Sequence, residues 1–227
     1  ITDQPMVTND LFANYSGFGI VGGQDTRSKG HYNFESDGLH IWTEDTSSQS
    51  KVAWYHSLNV DLSAIGEPAM DYTATTGITP GLQLVLDFNN DGTPDGILVG
   101  ESVYGNNWWL TNGSDAYVKA GAPHNGGGNG SQWYGTLNEW LAAFPSAKVK
   151  AVGFSLGSGV LASGVLHSLT FGCMKWEFGV KDVSPEAPIM LDYCYDDRDV
   201  IYIPYQEGVV YTINGLEVSG YYYLNGA

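Results

Sequence analysis

The chain has 227 residues, with 9 Lys and Arg against 25 Asp and Glu, a formal net charge of −16. That balance excludes nucleic acid as a partner, because its readers need cationic side chains to displace phosphate counterions, and it disfavours anionic membrane surfaces. With 43% hydrophobic and 13% aromatic residues the chain can bury a core, which excludes intrinsic disorder; 30 Gly and 9 Pro beside only 15% charged residues point to many short strands and tight turns.

Opening on Ile1 implies a processed chain or part of a longer one, and no secretory leader is read in the first twenty residues. Period-two patterning then predicts strands at Leu39–Thr43, Val52–Leu58, Gln83–Asp87, Gly96–Val99, Lys148–Leu156 and Val165–Phe171. In Leu82–Asp87, Leu82, Leu84 and Leu86 mark one buried face of a sheet.

Between the third and fourth of these strands lies Asp87-Phe88-Asn89-Asn90-Asp91-Gly92-Thr93-Pro94-Asp95-Gly96. Asp87, Asn89, Asp91 and Asp95 stand at loop positions 1, 3, 5 and 9, Gly92 permits a sharp turn at 6, and Thr93 would offer its carbonyl at 7. A hard cation takes six to eight oxygens, so this spacing predicts a structural Ca²⁺. Leu98 replaces the acid that a helix–loop–helix calcium site carries at position 12. The loop resembles the strand-flanked calcium loops of integrin-type and thrombospondin-type repeats over about ten residues. A hairpin turn with polar decoration is the competing reading.

Next come Tyr104, Trp108, Trp109, Trp133 and Tyr134, interleaved with Gly, Asn and Ser, and a long Gly-rich loop from Ala122 to Ser131. Flat aromatic faces with amide and hydroxyl neighbours suit glycan contact. The alternative is that Trp108 and Trp109 straddle a strand, one ring in the core and one on the other face. Thr136-Leu137-Asn138-Glu139 reads as a capping box ahead of a short helix ended by Pro145, with Leu137, Trp140, Leu141 and Phe144 on one stripe.

Gly153-Phe154-Ser155-Leu156-Gly157 matches the turn that exposes a serine nucleophile in α/β-hydrolases, but only His167 follows and a Gly/Ser-rich stretch stands where a helix is needed. Ala151–Phe171 carries no charge, yet Gly and Ser interrupt it and its period is that of a strand, so no membrane span is read. Glu35, Glu44, Asp45, Glu101 and Glu139 are candidate acids for a glycosidase or lyase, although no motif pairs them. His31, His40, His56, His124 and His167 show no metal-ligand spacing. Cys173 and Cys194 either pair or remain two buried thiols.

Near Gly179 the texture changes. Lys181–Pro188 reads as a linker, and short strand patterns follow at Val200–Ile203, Val209–Ile213, Leu216–Val218 and Tyr221–Leu224, with an Asn214-Gly215 hairpin signal. The division expected is a β-sandwich over 1–179 and a small β-module over 180–227, which alone is short for a stable β-domain. The predicted class is all-β: an antiparallel sandwich of jelly-roll type with one short helix.

Residues Ala151 to Gly159, followed by Gly164 to Gly172, together with the calcium-like loop and the Trp pair, resemble concanavalin-like or carbohydrate-binding-module-like β-sandwiches of actinobacterial surface proteins and of their phages. Val210-Tyr211-Thr212-Ile213-Asn214-Gly215 resembles the small Ig-like modules that follow such domains. The resemblance implies a secreted or virion-exposed, non-catalytic module, a phage tail or capsid-surface protein or a bacterial adhesin. Its expected partners are a host cell-surface glycan or neighbouring virion or cell-wall subunits, copies of itself included. A polysaccharide-active enzyme on the same scaffold is the alternative.

Overall fold

The computed structural model describes residues 2–3, 23–124, 130–179, 211–213 and 216–218. The chain divides into two compact units, Ile1–Glu186 and Ala187–Ala227.

Among its described residues the first unit holds thirteen strands in chain order: β1 (Thr2–Asp3), β2 (Gly23–Gln24), β3 (Gly30–Glu35), β4 (Gly38–Thr43), β5 (Lys51–Asp61), β6 (Ala69–Thr76), β7 (Gly81–Asp87), β8 (Gly96–Gly100), β9 (Trp108–Leu110), β10 (Tyr134–Gly135), β11 (Lys148–Gly157), β12 (Ser163–Phe171) and β13 (Met174–Glu177). Among the same residues two short α-helices, α1 (Ala116–Gly121) and α2 (Leu137–Ala143), interrupt them. All six strands expected before residue 179 are present, most of them extended by one to three residues. The expected helix at α2 is present too, with Thr136 Oγ1 accepting from the Glu139 amide and Glu139 Oε2 accepting from the Thr136 amide at 2.8 Å.

The strands form two sheets, antiparallel except for the two-residue β1–β13 pairing. One runs β10-β9-β8-β7-β11-β5-β2. In the other, β12 is the central strand. Its first half pairs with β4, which pairs with β3; its second half pairs with β13, which pairs with β1; β6 runs along its other side. This is the all-β, two-sheet architecture that the period-two patterning demands.

Alternation along each strand sends Val52, Trp54, Leu84, Leu86, Leu98, Trp108, Val152, Phe154 and Leu156 to one face of the seven-stranded sheet, all at most 2% exposed. Leu39, Ile41, Leu166, Leu169, Phe171 and Trp176 are likewise buried on the six-stranded sheet. On α2 the stripe read from sequence buries Trp140 completely. Its ring lies against Phe88 and Phe144, and its Nε1 donates to the Trp108 carbonyl at 2.9 Å. Among the described residues no helix is long and apolar enough to cross a membrane, and Ala151–Phe171 is two strands and their connection.

Helix α1 and strands β1, β2, β3, β6, β9, β10 and β13 are not among the elements expected from the sequence. Cys173 is disulfide-bonded, while Cys194 lies outside the described residues. So do the linker expected at Lys181–Pro188 and the strands expected at Val200–Ile203 and Tyr221–Leu224. In the second unit, β14 (Tyr211–Ile213) and β15 (Leu216–Val218) pair antiparallel with Ile213 opposite Leu216, the register that a two-residue hairpin requires.

Candidate functional site

The face of the seven-stranded sheet turned away from the main core carries a single cross-strand row. Tyr134 stands opposite Trp109, Trp109 opposite Val99, Val99 opposite Gln83, Gln83 opposite Gly153, and Gly153 opposite Tyr55. Residues one pleat away on the same face are Ala53, Gly81 and Ser155 on one side and Ala151, Val85 and Ile97 on the other, and Ala53, Tyr55, Val85 and Ala151 form a second buried cluster at most 5% exposed, against which Ile97 packs. This floor is closed to solvent, and of the row only the Trp109–Tyr134 end, with Glu101 beside it, is half-exposed.

Gly153 is what keeps this floor low. A Cβ there would lie 1.9 Å from the Trp54 carbonyl oxygen of the neighbouring strand, so no side chain fits. The gap lets the Tyr55 hydroxyl reach across β11 and donate to Gln83 Oε1 at 2.9 Å. Burial, reinforced by the nearby Asp25 carboxylate, pushes the Tyr55 phenol well above its ordinary value, so it stays a neutral donor. At the other end of the row, Trp109 Nε1 donates to Glu101 Oε2 at 2.9 Å, which fixes the indole's orientation.

The five aromatic residues singled out from sequence therefore separate. Trp109 and Tyr134 sit side by side on this face and are half-buried. Trp108 is 2% exposed and belongs to the core, because strand alternation turns it the opposite way from Trp109; it is not a surface contact residue. Trp133 is half-buried, with Lys119 Nζ 5.3 Å from its ring centroid. Tyr104 ends a short 3-10 turn over Ser102–Tyr104. Tyr55 and Gln83 were missed in the sequence. They read as ordinary strand residues, and only the register across five strands puts them in one line with Trp109, Gln83 two strands away and Tyr55 four.

The Asp87–Asp95 loop joins β7 to β8. Asp87 is fully buried, and its carboxylate accepts from the Asp91 amide at 3.1 Å and the Gly92 amide at 2.7 Å. Asn89 Oδ1 accepts from the same Asp91 amide at 3.0 Å, and Asn89 Nδ2 donates to Asp91 Oδ2 at 3.1 Å. Asp91 Oδ1 accepts from the Thr93 amide at 2.9 Å, and that bond holds the Asp91 carboxyl below its usual range. Gly92 takes φ 100° and Asn90 φ 59°, conformations open to Gly and tolerated by Asn.

Asp95 is 7% exposed and faces elsewhere. Its Oδ2 accepts from the Phe88 amide at 2.6 Å and from the Tyr117 hydroxyl of α1 at 2.5 Å. Burial and this bond together raise the Tyr117 phenol. Tyr117 carries no local sequence signal, since it comes from 22 positions downstream. The loop is thus closed by its own hydrogen bonds. Among the described residues no group of three or more His, Cys, Asp or Glu is gathered as a metal-binding set. Oxygens of Asp87, Asn89 and Asp91 nevertheless share one small volume.

The other candidates have local structural roles. Glu139 is spent on the α2 cap. His31 Nε2 lies 2.7 Å from Glu44 Oε1, and His40 Nδ1 lies 3.4 Å from Glu35 Oε1. Asp45 is paired with Lys29. Gly153–Gly157 runs as straight strand within β11, and Ser155 Oγ donates to the Gly157 carbonyl at 2.9 Å. His167 is on the other sheet, bonded to Thr73 Oγ1 and the Asp37 carbonyl. No strand–turn–helix elbow forms around Ser155. No family model, no curated protein and no solved structure matches the chain.

Proposed function

We propose that the protein is a non-catalytic binding module acting outside the cell, on a virion or a bacterial surface, and that it holds glycans at the half-exposed Trp109–Tyr134 end of its seven-stranded sheet. The observation supporting this is the pair Tyr134–Trp109, adjacent across two strands and half-exposed, with Glu101 fixing the indole. A sugar ring offers an apolar face and a rim of hydroxyls. Two adjacent aromatic side chains match the first; the Glu101 carboxylate beside them and the Tyr134 hydroxyl match the second. The chain's acidity favours neutral or cationic sugars over acidic ones.

The test is an array of bacterial cell-wall glycans probed with the intact protein and two variants. Trp109→Ala is expected to weaken binding at least ten-fold, about 1.4 kcal/mol. Trp133→Ala, whose ring is engaged by Lys119, is expected to change it less than about three-fold. Equal effects, or no bound glycan, would overturn the reading. Turnover of a glycan that stops in Glu101→Gln would replace it with a polysaccharide-active enzyme.

The same reading gives the Asp87–Asp95 loop a structural calcium. Asp87, Asn89, Asp91 and Asp95 would supply side-chain oxygens and Thr93 its carbonyl, with Asp95 released from Tyr117. Millimolar calcium is expected to raise the melting temperature by roughly 5 °C over the chelated protein, as about 2 kcal/mol of binding linkage would do in a chain of this size. Identical melts in chelator and in calcium would remove the metal and leave a hydrogen-bonded hairpin loop.

A further inference from the structure

Glu101 stands at the half-exposed end of the seven-stranded sheet without a cation to balance it. Its placement follows from the strands around it. Leu82 pairs with Gly100, so Gly81 and Glu101 come next on β7 and just past β8. The missing side chain at Gly81 lets Glu101 lie down on the sheet, since a Cβ there would come 3.2 Å from Glu101 Cγ. One carboxylate oxygen, Oε2, accepts from Trp109 Nε1 at 2.9 Å. The other, Oε1, receives no protein donor among the described residues. The ion pairs of those residues engage other carboxylates and leave Glu101 out.

Trp109 and Tyr134 stand directly opposite each other on β9 and β10, close enough for both rings to meet one ligand. Among the described residues no aromatic ring and no cation covers either of them. The face of an aromatic ring is its negative pole. A carboxylate beside two such rings makes a place in which every component attracts a cation, with indole the strongest of the aromatic partners. The adjacent residue already uses this chemistry, for Lys119 Nζ lies 5.3 Å from the Trp133 ring centroid. That ammonium donates to the Asn112 carbonyl at 2.6 Å and is held there. The chain's net charge of −16 enriches cations around it as a whole.

We propose that the glycan held at this end is an amino sugar with a free amine, its ammonium bonded to Glu101 Oε1 and set against the rings of Trp109 and Tyr134. The inference rests on the glycan reading above and adds to it the charged substituent. A sugar hydroxyl would give Oε1 one neutral donor and bring no charge to the rings. An ammonium brings three donors and a full charge, so both its hydrogen bond and its contact with the rings are stronger. Acetylation of the amine removes both advantages and leaves the apolar sugar face unchanged. Trp109 therefore serves amino and acetylated sugars alike, and Glu101 is the residue that tells them apart.

Calorimetric titration of the intact protein with a tetramer of β-1,4-linked glucosamine and with its fully N-acetylated counterpart tests this. At about pH 6, where the amines are protonated, the free-amine form is expected to bind at least about ten-fold more tightly. Glu101→Gln keeps an acceptor oxygen for the indole N–H and should keep the wild-type melt, yet it is expected to cut that ratio to about two or less. Trp109→Ala should weaken both forms. Attraction of a cationic sugar to the acidic chain as a whole would survive Glu101→Gln, so a preference that persists in this variant overturns the inference. Equal binding of the two tetramers by the wild type overturns it as well and leaves the glycan reading standing. Where neither tetramer binds, array hits confined to neutral glycans overturn it, while amine-bearing hits abolished by Glu101→Gln sustain it. Absence of any bound glycan ends both readings.

Discussion

Trp140→Ala is expected to lower the stability of the first unit by about 4 kcal/mol, a fall in melting temperature of roughly 10 °C. Three losses add. The largest is the buried ring itself, fully inaccessible and in contact with Phe88 and Phe144 at centroid distances of 5.8 and 6.2 Å. A cavity follows, because the floor beneath α2 is a sheet and cannot collapse into the space. The third loss is the donor to the Trp108 carbonyl, which is left with no indole N–H. Trp140→Phe separates these terms. It keeps most of the ring and none of the donor, and should fall between the two proteins in urea melts. A loss under about 1 kcal/mol for the alanine variant would mean that α2 does not anchor this end of the sandwich.

The second large effect is acid lability through His56. Its ring lies between Trp54 and Trp176, with centroids at 5.9 and 5.2 Å, and burial pushes its pKa from the ordinary 6.5 down to about 4. The folded protein therefore resists protonation that the unfolded chain accepts. Between the two values the unfolded state binds more protons, so stability rises with pH. The contribution is complete above about pH 6.5, is lost as pH falls toward 4, and changes no further below that. At 1.36 kcal/mol per unit the loss approaches about 3 kcal/mol. Denaturant titrations from pH 8 to 4 should show this slope in the wild type and a much flatter one in His56→Gln. Parallel slopes would assign the acid sensitivity to other groups.

Strand periodicity made the sandwich legible where burial is one-sided or continuous. Val52–Leu58, Leu82–Asp87 and Lys148–Leu156 announced themselves, and so did α2 through Thr136 and Glu139. Strand β6 did not: Met70 and Tyr72 alternate with Asp71 and Thr73, but the rest is Ala and Thr, which pattern alone cannot assign. Strand β3 hid because only Tyr32 and Phe34 carry its apolar signal, diluted by His31 and Asn33. Trp108 and Trp109 straddle a strand, as the alternative reading of the pair had it, one ring in the core and one on the other face. The loop at Asp87–Asp95 was visible as chemistry, yet the tie from Asp95 to Tyr117 depends on how α1 packs, which no local spacing encodes. The aromatic row was the least legible feature, since Tyr55, Gln83 and Trp109 come from three separate strands.

The closeness of β11 to β5 at residue 153 limits how this surface can be reshaped. With the neighbouring carbonyl oxygen 1.9 Å from where a side chain would begin, even alanine forces the main chain apart. Engineering a new preference by planting residues in the middle of the face is therefore closed off. Retargeting has to proceed from the half-exposed end, through Trp109, Glu101 and Tyr134, since Tyr55 at the other end is 1% exposed. A library randomised at those positions should yield folded variants with altered selectivity, while one randomised at 153 should return glycine.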